Sequence, residues 1–68
     1  MELTINGEKR KVASVDTLAE LLKTLGISVE TRGIAVAVND TVVPRAEWGA
    51  TRMQEGDSVE VIHAVQGG

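Results

Sequence analysis

Only one stretch of this chain has a helical period, and it carries a single apolar stripe. In TLAELLKTLG, Leu18, Leu21, Leu22 and Leu25 fall at i, i+3, i+4 and i+7, which lines one side of an amphipathic helix. One striped helix cannot bury itself, so it must lie across something flat. Its ends are marked in the sequence. Thr17 and Glu20 have capping-box spacing, in which Thr17 accepts from the Glu20 N–H while Glu20 reaches back to the cap. Gly26 stands where a left-handed residue closes a helix, with Ile27 placed to fold back onto Leu22. The spacing predicts a helix over Leu18 to Leu25.

The remaining periodic segments alternate, as strands do. ELTIN places Leu3 and Ile5 on one face, and Asn6-Gly7 is a hairpin signal because a type I′ turn needs positive φ at both central residues. The return strand, about Lys9 to Ala13, is polar except near Val12 and suits an edge, where charge discourages pairing with other chains. After a polar loop from Ser28 to Gly33, IAVAV points Ile34, Val36 and Val38 one way and Ala35 and Ala37 the other. Alanine alone on an outer face fits close packing by a partner or a central position. Asn39-Asp40 turns the chain into a short strand, Thr41 to Val43, which Pro44 ends by removing a ladder donor. RAEWGATRM has no clear period, and Trp48 is expected to cap one end of the core. A turn at QEGD leads into a last strand, Ser58 to Val65, with Val59 and Val61 inward and Glu60 and Ile62 outward.

Hairpin, helix, strand, short strand, strand is the order that results. Its economical solution is an α+β fold with one helix across one face of a mixed four- to five-stranded sheet. The first and last strands are apolar enough to lie centrally, side by side. That is the ubiquitin-like β-grasp arrangement, with residues 1–65 as the domain and residues 66–68 as a flexible tail. Ala35, Ala37, Glu60 and Ile62 then share the face opposite the helix, a low-relief patch on which a partner could lie.

Composition removes several classes of function. A length of 68 residues allows one domain, and the absence of cysteine excludes disulfides and thiolate metal sites. A net charge of −3 with one aromatic residue, Trp48, argues against nucleic acid, which selects clustered Lys and Arg or stacking rings. No apolar run is long enough to cross a bilayer, and a cytoplasmic protein, monomeric when free, is the expectation. His63 is the single histidine and lacks the companions a metal site needs. No serine stands in a nucleophile elbow, no carboxylates pair as general acid and base, and the glycines build no phosphate loop. The chain is not expected to be an enzyme on its own.

The C-terminal VQGG is where chemistry can lie. A glycine carboxylate is ionised at neutral pH and can attack the α-phosphate of ATP. A sulfur nucleophile can then displace AMP from the acyl-adenylate. Glycine suits a narrow channel because it has no Cβ and takes any φ, and Gln66, Gly67 and Gly68 extended reach on the order of 10 Å.

Along essentially its whole length the chain resembles the ThiS sulfur-carrier family of thiamine biosynthesis. The TINGE hairpin, TLAELLKTLG, IAVAVNDTVVPRAEW and EGDSVEVIHAVQGG carry the likeness. Val42-Val43-Pro44-Arg45 followed by Trp48 is more specific than Gly-Gly, a weak two-residue signal. The resemblance implies that Gly68 is adenylated by a ThiF-type, E1-like adenylyltransferase and converted to a thiocarboxylate, with Gln66 and Gly67 threading the tail. The sulfur would pass to a ThiG-type thiazole synthase. No cofactor would be bound; ATP and the product of a sulfur-donating enzyme would be consumed by the partners. Three other readings share part of this evidence: a MoaD-like small subunit of molybdopterin synthase, a ubiquitin-like protein modifier, and a plain binding domain. MoaD-like chains are commonly longer and richer in phenylalanine, which is absent here.

Overall fold

The computed structural model describes residues 1–63. Its order is β1 (Glu2–Ile5), β2 (Glu8–Lys11), α1 (Leu18–Thr24), β3 (Ile34–Val38), β4 (Thr41–Val42), a 3-10 helix (Arg45–Ala50) and β5 (Ser58–His63). The strands form one sheet in the order β2-β1-β5-β3-β4. The chain's first and last strands pair in parallel, Ile5 opposite Val59, while β5 runs antiparallel to β3 from Ile34↔His63 to Val38↔Val59. The charged β2 lies at the edge, as its composition implies, shifted toward the turn relative to Lys9–Ala13. The predicted continuation of the last strand to Val65 and the boundary at residue 65 lie outside the described residues.

Helix α1 covers the face built from Leu3, Ile5, Val36, Val59 and Val61, and contributes Leu18, Leu21 and Leu22, all three without solvent contact. The closing turn is the expected one. Leu25 caps the helix, Gly26 has φ +83°, and the Gly26 and Ile27 N–H groups donate to the carbonyls of Lys23 and Leu22, a Schellman pair. The start of the helix needs a correction. Thr17 Oγ1 does accept from the Glu20 N–H at 3.3 Å, but Glu20 Oε1 accepts from Asp16, at 2.7 Å, and not from Thr17. The chain at the cap is held against residues 51–53, where Leu18 N–H donates to Thr51 and Met53 N–H to the Asp16 carbonyl, and this bridge sets the Asp16 N–H within reach of Glu20.

RAEWGATRM is not irregular. Pro44 opens a 3-10 helix over Arg45–Ala50, whose three-residue period has no amphipathic signature over so short a run. It drives Trp48 into the core at 1% exposure, and the indole N–H donates to the Val43 carbonyl at 3.1 Å. Trp48 is therefore a core residue and not merely a lid at one end.

Two asparagines hold the central strand. Asn6 and Asn39 each open a two-residue hairpin with positive φ, 51° and 49°, which asparagine tolerates better than most residues. The Asn6 side-chain oxygen accepts from the Val61 N–H at 2.8 Å, and that of Asn39 from the Ser58 N–H at 3.0 Å. β5 outruns β1 at one end and its ladder with β3 begins at the other, so each asparagine supplies an acceptor where the neighbouring strand turns away.

Two substitutions test this account. Leu22→Ala removes a fully buried side chain and is expected to cost about 2–5 kcal/mol, read as a sharp fall in thermal midpoint beside an unchanged Lys23→Ala control. Asn6→Gly keeps the positive φ but removes the acceptor. Leaving the Val61 N–H without its partner is expected to cost about 1–3 kcal/mol by denaturant titration, with Asn6→Asp retaining most of the stability.

Candidate functional site

The face of the sheet opposite α1 is set by the phase of β5 and β3. Val59 and Val61 are buried against the helix, so Ser58, Glu60 and Ile62 point away from it, all exposed. The register then brings the four predicted patch residues together as two direct cross-strand pairs, Ala35 with Ile62 and Ala37 with Glu60. Because Asn6 N–H donates to the Val59 carbonyl and Val61 N–H turns to Asn6, the odd residues of β5 bond toward β1. The even ones bond toward β3, which makes both patch pairs hydrogen-bonded pairs of the ladder. They are therefore held by backbone bonds on a strand with neighbours on each side, and the patch is stiff.

One member was missed from sequence. Val42 pairs with Ala37 from β4 and is 69% exposed, beside Ile62 at 55%. Two branched apolar side chains thus stand on either side of a floor of alanines, with Glu60 next to Ile62 along β5 and across Ala37 from Val42. A strand of only two residues gives too little alternation to assign a phase, so Val42 could be placed only once its partner was known. Toward the other edge the same face becomes polar through Thr4 of β1 and Lys9 and Lys11 of β2, which the pairing sets opposite Thr4 and Glu2.

β5 also sets which end of the sheet its C-terminal residue reaches. Its last described residue, His63, is paired only with Ile34 of β3, since the β1 ladder closes at Asn6. The segment that follows, including Gln66, Gly67 and Gly68, lies outside the described residues. His63 lines a shallow groove on the helix side with Arg10, Leu25, Gly26, Ile27 and Thr31. Among the described residues no three His, Cys, Asp or Glu side chains group as a metal site. No helix among them is long and apolar enough to cross a membrane.

Arg45 holds a neighbouring surface in shape. Its guanidinium lies 4.9 Å from the Trp48 ring centroid, a cation–π distance, and donates to the Val29 carbonyl. The Arg45-x-x-Trp48 spacing noticed in the sequence therefore has a physical use. It ties the loop between α1 and β3 to the 3-10 helix.

Comparison with known proteins agrees with this architecture. The ThiS family matches residues 3–68. Sulfur carrier protein ThiS of Escherichia coli is 31% identical over 68 residues, covering all of both chains. The Thermus thermophilus protein of the same name is 38% identical over 64 residues, 94% of this chain and 95% of that one. A thiazole synthase of Magnetococcus marinus is 40% identical over all 68 residues. This chain spans about a fifth of the length of that protein, and of a similar thiazole synthase from Paramagnetospirillum magneticum. The crystal structure of ThiS from Geobacter metallireducens superposes with a TM-score of 0.82 at 31% identity, covering both chains entirely. With a family match over nearly every residue, a full-length relative and the same β-grasp fold, the chain belongs to the ThiS family of sulfur carrier proteins.

Proposed function

We propose that, within the ThiS family's role in thiamine biosynthesis, this chain carries sulfur on the carboxylate of Gly68. The observation that carries the reading is the pairing of a stiff, exposed apolar patch with a central strand that leads directly toward Gln66-Gly67-Gly68. A partner can grip the patch while the tail enters its active site.

The chemistry needs nothing from the folded domain beyond placement. A carboxylate oxygen of Gly68 attacks the α-phosphorus of ATP, and pyrophosphate leaves with the electron pair of the broken P–O bond. Hydrosulfide delivered by the sulfur-supplying partner then attacks the acyl carbon, AMP leaves with the electron pair of the broken C–O bond, and loss of the S–H proton leaves a thiocarboxylate. The adenylating enzyme is of the ThiF type, and a separate enzyme supplies the sulfur. The acceptor is a thiazole synthase, a reading supported by the relatives of that name that contain a segment similar to this chain. No cofactor is held by the carrier itself; ATP is consumed in the partner, in the cytoplasm. Residues 1–65 are the body that is recognised and residues 66–68 the part that reacts.

Intact-mass analysis tests the function. Incubation with ATP, the adenylating enzyme and a sulfide source is expected to replace one C-terminal oxygen with sulfur. Conjugates to lysine alone would identify a protein modifier instead.

Two variants separate grip from reaction. Ile62→Glu places a charge on the exposed patch, where surface changes stay within about ±0.5 kcal/mol of stability, so the fold is expected to hold while binding to the adenylating enzyme weakens in calorimetry. One alanine added after Gly68 is expected to do the opposite. Binding through the patch persists, but the carboxylate is displaced, and a 1 Å error in attack geometry is worth about a hundredfold in rate. Pyrophosphate exchange should be lost. Normal thiocarboxylate formation on the added alanine would mean that the enzyme does not read the terminal glycine.

A further inference from the structure

The charges of this acidic chain are not spread evenly along the sheet. At the end where the hairpins meet the helix start, carboxylates gather. Glu55 accepts from the Glu2 N–H at 2.9 Å, and Asp57 accepts from the Asn39 side chain and the Gln54 N–H. Asp40 sits in the adjoining β3–β4 turn, Asp16 is tied to Met53 beside them, and Lys11 and Arg52 are the basic side chains at this end. The end from which the chain leaves β5 is different. Arg10 lines the groove beside His63, and across Thr31 the next groove is lined by Arg32 and Arg45. Lys23 lies in the last turn of α1, one turn before that groove. Glu8 and Glu30 are the acidic residues at this end. Arg10 and Arg32 are both exposed, and the Arg45 tether to Val29 fixes the loop that presents Arg32.

We propose that Arg10 and Arg32 form a basic collar around the tail exit that docks onto an acidic rim surrounding the channel mouth of the adenylating enzyme. The inference rests on the carrier reading and adds a second contact, separate from the apolar patch. The distance scale decides what the collar touches. The five residues after His63 span at most about 17 Å, whereas charge–charge forces in physiological salt fade over about 8 Å. With the tail extended in a channel, the collar lies too far from the ATP phosphates to bind them, and its counter-charge must be protein carboxylate at the entrance. A net charge of −3 would otherwise repel such a rim. The collar turns the repulsion into orientation, since the basic end is attracted while the acidic end is pushed away. The expected consequence is a faster and better-aligned encounter.

Stopped-flow association with the ATP-loaded adenylating enzyme tests this, using the full chain and two double variants of equal net charge. Arg10→Glu with Arg32→Glu is expected to lower the association rate about tenfold or more at low salt. Dissociation should change little, and the difference should close at high salt. Lys11→Glu with Arg52→Glu, at the opposite end, is expected to change it less than threefold. Thermal midpoints of both variants check that the fold is intact. Equal slowing by the two pairs, or no slowing by the first, would overturn the collar. A loss confined to dissociation would also overturn it. If the unaltered chain exchanges pyrophosphate but its association ignores the collar, only this inference fails. If it does not exchange pyrophosphate at all, the carrier reading fails first.

Discussion

The fold depends on putting the last strand in the middle. β5 is the middle strand of the five, parallel to β1 over two residue pairs and antiparallel to β3 over five, and its Val59 and Val61 form the floor under the leucine stripe. A chain of this length buries a modest fraction of its surface. It cannot afford a central strand that slips, because a shift of one residue would send both valines to solvent and Glu60 and Ile62 into the core. Asn6 and Asn39 guard against that. Each bonds β5 from the corner of a hairpin whose two-residue turn already fixes the register of its strands. The β5 donors that they satisfy, at Val61 and Ser58, are three residues apart and face opposite edges. Sliding the strand breaks both.

The patch is a by-product of the same arrangement. The two alanines of β3 are poor strand formers by propensity, and a solvent-facing pair contributes little packing. They are held because Val36 is anchored in the core between them and because β3 has a neighbour on each side. Their small size leaves Ile62 and Val42 standing proud of the sheet. Apolar side chains scattered over a surface carry no meaning. Ile62 stands above a flat floor on the central strand, and Val42 flanks that floor from the two-residue edge strand β4, so the patch is firmest at Ile62.

Much of this was legible in the residues. The Asn6-Gly7 and Asn39-Asp40 turns, the leucine stripe, the Gly26 closure and the phase of β5 follow from local rules with short range, and the structure keeps each of them. What the sequence concealed depends on contacts between distant segments. Glu20 bonds Asp16 because residues 51–53 pull the preceding chain across the helix start. The 3-10 helix at Arg45–Ala50 exists because Trp48 can reach the core only from there, and its length is too short to reveal a period. Val42 joins the patch through its pairing with Ala37. The chemistry proposed for Gly68 rests on likeness and elementary reactivity, not on any pattern of side chains.

Charge completes the division of labour. The carboxylates far from the tail take part in the fold itself. Glu55 and Asp57 accept from backbone N–H groups that the turns leave without strand partners, work that a positive side chain could not do because it has no acceptor. Acidic residues are therefore fixed at that end by the turn chemistry. The other end is bounded by a helix C-terminus, whose partial negative charge favours cations nearby, and Lys23 lies in its last turn. Turn chemistry thus accounts for the carboxylates at one end, and the helix C-terminus for Lys23 at the other. The parallel placement of β5 beside β1 then makes that basic end the one toward which β5 runs, as far as His63. Reversing β5 in the sheet would instead point the strand toward Asp16, Asp40, Glu55 and Asp57.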